Sequence, residues 1–198
     1  MKNGFTLIEV SILFIIFIIV AVLIVPLSVD DVILAKNIEK WKQSQLTLST
    51  IPVSMMNSEN EKLGKPLDVH DFMSALVKVY PLKKVVKYKV KYYNGEHPSD
   101  EDCFKEVYMT NNKSAIAFKW LGKNSKLESD AVLAKLMFDV NGKSGPNVWG
   151  KDIFGLDIYK DKILPFGHDM DEMSSEIDTS RQGTGKAFSA KYLIGVNK

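Results

Sequence analysis

From Phe5 to Leu27 the chain carries a single charged side chain, Glu9, with Thr6 and Ser11 as the other polar side chains. As a helix this run is about 35 Å long at roughly 1.5 Å per residue, enough to cross a bilayer core of about 30 Å. A carboxylate inside such a span costs about 3 kcal/mol on insertion scales, and so marks a functional position. Its match is expected to come from outside the chain. An ordinary secretory signal has an apolar core of about 7–15 residues followed by a small-residue cleavage site. Here the run is too long, and no A-x-A pattern follows it. Lys2 precedes the span, Asp30 and Asp31 follow it, and the next lysine is Lys36. The positive-inside rule therefore puts the N-terminus in the cytoplasm and the rest of the chain outside.

The segment Gly4-Phe5-Thr6-Leu7-Ile8-Glu9-Val10 resembles the processing motif of type IV pilins and pseudopilins. The resemblance is strong over about the first 30 residues and only outlined beyond them. It implies that prepilin peptidase cuts between Gly4 and Phe5 and that the new N-terminal Phe5 is N-methylated. It implies that Glu9 pairs with the terminal amine of a neighbouring subunit, and that Pro26 lets the helix bend or melt on assembly. The partners so implied are other pilin or pseudopilin subunits, the peptidase, an inner-membrane assembly platform and membrane lipid. The implied location is the bacterial inner membrane, single-pass, and then a periplasmic or extracellular filament. The competing reading is a monomeric, signal-anchored binding module for which the helix is only a tether.

With 198 residues, the chain divides by this reading into a leader (1–4), a membrane or filament-core helix (5–29) and an extracytoplasmic head (30–198). That head has room for one core. The balance of 26 basic and 24 acidic residues points away from a nucleic-acid partner. Arg181 is the only arginine, which weakens bidentate phosphate recognition. Cys103 is alone, so no intrachain disulfide forms. Many type IV pilins close their C-terminal region with one, and this chain departs from that pattern.

The expected fold class is α+β, a long N-terminal helix with a C-terminal antiparallel sheet, the ladle shape of the family. Val29, Val32, Ile33, Ile38, Trp41, Leu46 and Leu48 continue a helical stripe, which Pro52 is expected to end near Thr50. Residues 55–65 read as a loop and Asp68–Val79 as a short helix, capped by Asp68 or Asp71, with Phe72, Leu76 and Val79 on one face. Val85–Tyr93 reads as the clearest strand, with Val86, Tyr88, Val90 and Tyr92 on one side and Lys87, Lys89 and Lys91 on the other. That lysine side reads as a solvated face. Further strands are expected at 106–110, 114–121, 133–140, 153–159 and 162–166, with turns at Asn111-Asn112 and Lys160-Asp161. The tail 186–195 is readable as helix or strand.

Enzymatic signatures are missing. Gly142-Lys143-Ser144 and Gly185-Lys186 imitate a phosphate-binding loop, but Met137 and Ser180 stand where its first glycine belongs. His70, His97 and His168 lie in separate segments, without metal-ligand spacing, and read as exposed positions. The chain is not expected to be an enzyme, and no cofactor is required. Asp139, Asn141, Asn147 and Asp152 surround a Gly- and Pro-rich turn. Their oxygens could converge on Ca²⁺, which takes about six to eight oxygen ligands. Hydrogen bonding from these side chains to the turn backbone accounts for the same residues without an ion.

Overall fold

The computed structural model describes residues 6–58, 69–85, 88–99, 104, 106–121, 131–159, 162–169 and 183–194. It has an α+β layout that divides into two compact units, Met1–Lys36 and Asn37–Lys198. Helix α1, Leu7–Ser58, passes from the first unit into the second.

In the first unit, from Val10 to Ile24, α1 is apolar on every side, with Ser11 its single polar side chain. Leu7, Ile8, Phe14, Phe17 and Leu23 are all more than half exposed, as are most of their neighbours. A helix without a polar face has nothing to turn towards water, so it is suited to lipid or to packing among other helices. The α1 segment beginning at Leu7 is long and apolar enough to cross a membrane.

In the second unit the six strands form one antiparallel sheet in sequential order. They are β1 (Leu82–Val85), β2 (Val107–Thr110), β3 (Ala115–Trp120), β4 (Ala134–Asp139), β5 (Ile153–Ile158) and β6 (Ile163–Pro165). Period-two alternation divides their side chains between two cores. On one face Ile116, Leu136, Phe138, Phe154, Leu156 and Ile158 pack with Trp41, Leu48 and Ile51 of α1. Helix α2 (Val69–Val79) adds Phe72 and Leu76 to that core. On the other face Ala115, Ala117, Met137 and Ile153 meet Tyr92, Trp149 and Phe166 from the loops. Strand β5, covered on both sides, is buried at every position. Helix α3, Phe188–Ile194, resolves the ambiguous tail as helix.

The short strands expected from sequence lie within a residue or two of β2–β6, and Asn111-Asn112 forms its turn. The Lys160-Asp161 turn and the Asp68 cap lie outside the described residues, as does the side chain of Asp71. Three expectations are corrected. Helix α1 runs through Pro52 to Ser58. A proline inside a helix removes one hydrogen bond, but Leu48 and Ile51, at 0% and 1% exposure, hold the helix to the sheet just before it. Val79 is exposed, and Tyr80 takes the buried place instead. The strand expected at 85–93 is replaced by β1 at Leu82–Val85; Val86 and Lys87 lie outside the described residues, and 88–93 belong to no strand of the sheet. The alternation there is real, since Tyr88, Val90 and Tyr92 turn inward and Lys89 and Lys91 outward. Yet the backbone bonds to loops: Lys91 N–H donates to Asn147 O (2.9 Å) and Tyr93 N–H to Thr184 O (2.9 Å).

Candidate functional site

Two places concentrate polar chemistry, and each belongs to one unit. The first is the start of α1. Thr6 stands immediately before the helix and Glu9 is its third residue, the spacing of a capping box. Glu9 Oε2 accepts from the Thr6 backbone N–H (2.8 Å) and from its hydroxyl (2.9 Å). In return the Glu9 N–H donates to Thr6 Oγ1 at 3.4 Å. Within its own chain Glu9 thus has Thr6 as a hydrogen-bond partner. The carboxylate satisfies the Thr6 N–H at the helix start, and it sits where the helix dipole is positive. It remains exposed, so a second donor can reach it. Gly4 and Phe5, the cleavage residues, lie outside the described residues; Pro26 lies in helical backbone within α1.

The second place is the connection from β4 to β5. Asp139 ends β4, and Asp152 immediately precedes β5; both are fully buried. Asp139 Oδ1 accepts from the N–H groups of Asn141 (2.9 Å) and Gly142 (2.6 Å), which folds the chain back on itself. Gly142 has φ +60°, and a Cβ there would lie 2.2 Å from the Lys113 carbonyl oxygen, so only glycine fits. Asp152 closes the other end, accepting from Asn147 N–H (2.8 Å) and Val148 N–H (2.7 Å). The Tyr88 hydroxyl donates to Asp139 Oδ2. The hydrogen-bonded turn anticipated from sequence is therefore present.

Those bonds leave two oxygens unused. Asn141 donates its amide to Gly145 O (2.8 Å) and Asn147 to Lys89 O (3.2 Å). Each carboxamide oxygen is buried without a hydrogen-bond partner. The charges are also uncomfortable. Burial, helped by the nearby Asp152 charge, pushes the Asp139 carboxyl up to about 7, against the hydrogen bonds from Tyr88, Asn141 and Gly142. Burial likewise raises Asp152. Two buried carboxylates that repel each other and two unsatisfied amide oxygens thus share one turn. Among the described residues no three His, Cys, Asp or Glu side chains converge, so any cation site there would depend on the asparagines.

Sequence reasoning missed Thr6 and Tyr88. Thr6 was legible as the first member of a Thr-x-x-Glu pattern, whereas Tyr88 is brought to Asp139 only by the tertiary fold. Beside Tyr88, between the 88–98 segment and the sheet, lies a cleft of about 390 Å³ whose walls include Val90, Phe104, Met137 and Trp149. Of the histidines, His97 is exposed and lies 3.0 Å from the Val90 carbonyl. His168 is half-buried, edge-on to Tyr159, and the side chain of His70 lies outside the described residues.

No protein family, curated protein or solved structure matches the chain.

Proposed function

We propose that this chain is a type IV pilin-like or pseudopilin-like filament subunit, ladle-shaped, made as a precursor and anchored in the bacterial inner membrane with its head outside. The observation that carries the reading is one carboxylate, Glu9, three residues into a helix that is otherwise uncharged and unpartnered for most of its apolar length. Prepilin peptidase would cut between Gly4 and Phe5, and the mature Phe5 would be N-methylated. In the free subunit Glu9 caps its own helix through Thr6. In the filament it takes the Phe5 amine of a neighbour as a further, charged donor. Opposite charges in a desolvated setting attract strongly, and a slipped register leaves one of them buried alone. Glu9 thus sets register more than it adds affinity. In the head, Asp139, Asn141, Asn147 and Asp152 would hold Ca²⁺, whose charge would offset the two buried carboxylates.

Two measurements test the reading. Mass spectrometry of membrane-extracted protein should find a chain beginning at methylated Phe5; intact Met1 in cells with active prepilin peptidase overturns it. Glu9→Leu should insert and be cleaved normally, since removing a charge that costs about 3 kcal/mol in the span favours insertion. Its incorporation into sheared filaments should fall strongly, and incorporation equal to wild type would sink the register mechanism. The second reading, a monomeric anchored binding module, draws on the Thr6 cap, which satisfies Glu9 without a neighbour, and on the cleft beside Tyr88. It expects Glu9→Leu to leave abundance and ligand binding unchanged.

A further inference from the structure

We propose that the cleft beside Tyr88 binds a small, uncharged aromatic compound bearing a hydroxyl, its ring inside the cleft and its hydroxyl donating to His97 Nε2 at the rim. The site lies within the second unit, so it serves a filament subunit and a tethered module alike. The cleft holds about 390 Å³. Ligand pockets run from about 300 to 1,000 Å³, so this one suits a compound of one or two rings.

The floor of the cleft is dry and uncharged. Val107, Met137 and Trp149 form it, with exposures of 5%, 0% and 2%. An ionised ligand would lose its hydration against these three side chains without gaining a partner. Two aromatic rings, Tyr88 and Phe104, stand in the walls, and both are half-buried. Trp149 is held by stacking on Phe166 at 5.7 Å, and it meets Phe104 tilted at 6.4 Å. Aromatic pairs with centroids about 4.5–7 Å apart gain more than the area they bury, which favours a flat ring over an aliphatic ligand of equal volume. Met137 adds a polarisable thioether that adapts to such a ring.

The polar group comes from the rim. The Tyr88 hydroxyl donates to Asp139 Oδ2, so its proton is committed to the β4–β5 turn and is not offered to a ligand. His97 Nδ1 lies 3.0 Å from the Val90 carbonyl oxygen. A carbonyl only accepts, so Nδ1 carries the proton, and in the neutral ring Nε2 is left as an acceptor. His97 is exposed, which leaves Nε2 open to a ligand. An acceptor beside an apolar, aromatic cleft matches a hydroxyl hydrogen and offers nothing to an ether or a ketone.

The test uses the full chain in lipid nanodiscs at pH 8, with labelled methionine methyl groups. Loss of one signal in Met137→Leu assigns the reporter at the cleft floor. 4-Methylphenol should shift the Met137 signal saturably. Toluene, the same ring without the hydroxyl, should bind about fivefold more weakly, the worth of one neutral hydrogen bond. Empty nanodiscs give the free concentration of each compound. His97→Ala should weaken 4-methylphenol about fivefold and leave toluene unchanged. No saturable shift with either compound overturns the site. Equal affinities in the unsubstituted chain, or equal losses of both compounds in His97→Ala, overturn the hydroxyl contact and leave His97 as a support of the 88–98 segment. Tighter binding of the peptide Gly-Tyr-Gly than of 4-methylphenol overturns the assignment to a free small molecule.

Discussion

Asp139 shows how a residue chosen for geometry creates a cost in charge. Its two oxygens hold Asn141 N–H, Gly142 N–H and the Tyr88 hydroxyl, so it must be buried, and burial raises its carboxyl from 3.8 to about 7. The folded state therefore binds a proton between those values that the unfolded state has released, and stability falls as pH rises through that window. Asp152, also raised, acts in the same direction. With chelator present, the melting temperature of the head should decline from pH 5 to pH 8. Asp139→Asn, which keeps the backbone acceptor, should flatten that decline and match or exceed wild type at pH 8. Added Ca²⁺ should raise the melting temperature at pH 8, and Asp152→Ala should abolish that response. A response to Ca²⁺ that survives Asp152→Ala places the ion elsewhere. The candidate ligands themselves were readable from the Gly, Pro and Asn density of the turn; Tyr88 was not, because 51 residues separate it from Asp139.

At the scale of elements, Trp41 joins α1 to the far end of the chain. Its ring stacks on Phe154 of β5 at 5.0 Å, and its Nε1–H donates to the Ser189 carbonyl of α3 at 3.0 Å. Ser189 Oγ accepts in turn from Gly155 N–H (2.9 Å), so one residue of α3 ties α1 to β5. Gly155 cannot be replaced there, because a Cβ would lie 2.2 Å from the Phe166 ring. Trp41→Phe keeps an aromatic ring against Phe154 but removes the hydrogen bond to the Ser189 carbonyl, a cost of about 0.5–1.5 kcal/mol. Trp41→Ala should cost about 3–5 kcal/mol through lost packing. Urea unfolding of the head measures both, and a Trp41→Phe loss close to zero would show that the hydrogen bond to Ser189 contributes nothing. Helical spacing in the sequence put Trp41 on the buried face, but its partners could not be read there. The same limit explains the 85–93 segment, where alternation fixed which side chains turn inward but not where the backbone finds its hydrogen bonds. At Pro52 a local stop signal lost to the packing of Leu48 and Ile51.

For the whole molecule, the division at Lys36 separates two kinds of stability. Among the described residues of the first unit none is buried, and its apolar surface is suited to lipid or to other helices. The second holds both cores of the sheet, and one of these is closed by residues of α1 itself. A chain starting at Asn37 should therefore be soluble and unfold in a single cooperative transition. A chain starting at residue 59 keeps every strand but lacks Trp41, Leu48 and Ile51, which are all but fully buried against the sheet. Burying a large apolar side chain contributes about 1.5–3 kcal/mol, so three together contribute about 5–9 kcal/mol. That is comparable with the whole stability of a domain, about 5–15 kcal/mol. The shorter chain should accordingly lose its near-ultraviolet circular dichroism and its cooperative melt, with the apolar face of Phe138, Phe154 and Leu156 left open. A cooperative melt from the shorter chain, at a temperature near that of the longer one, would show that the sheet and α2 complete the core without α1. The second half of the helix would then be an attachment to the head and no part of its fold.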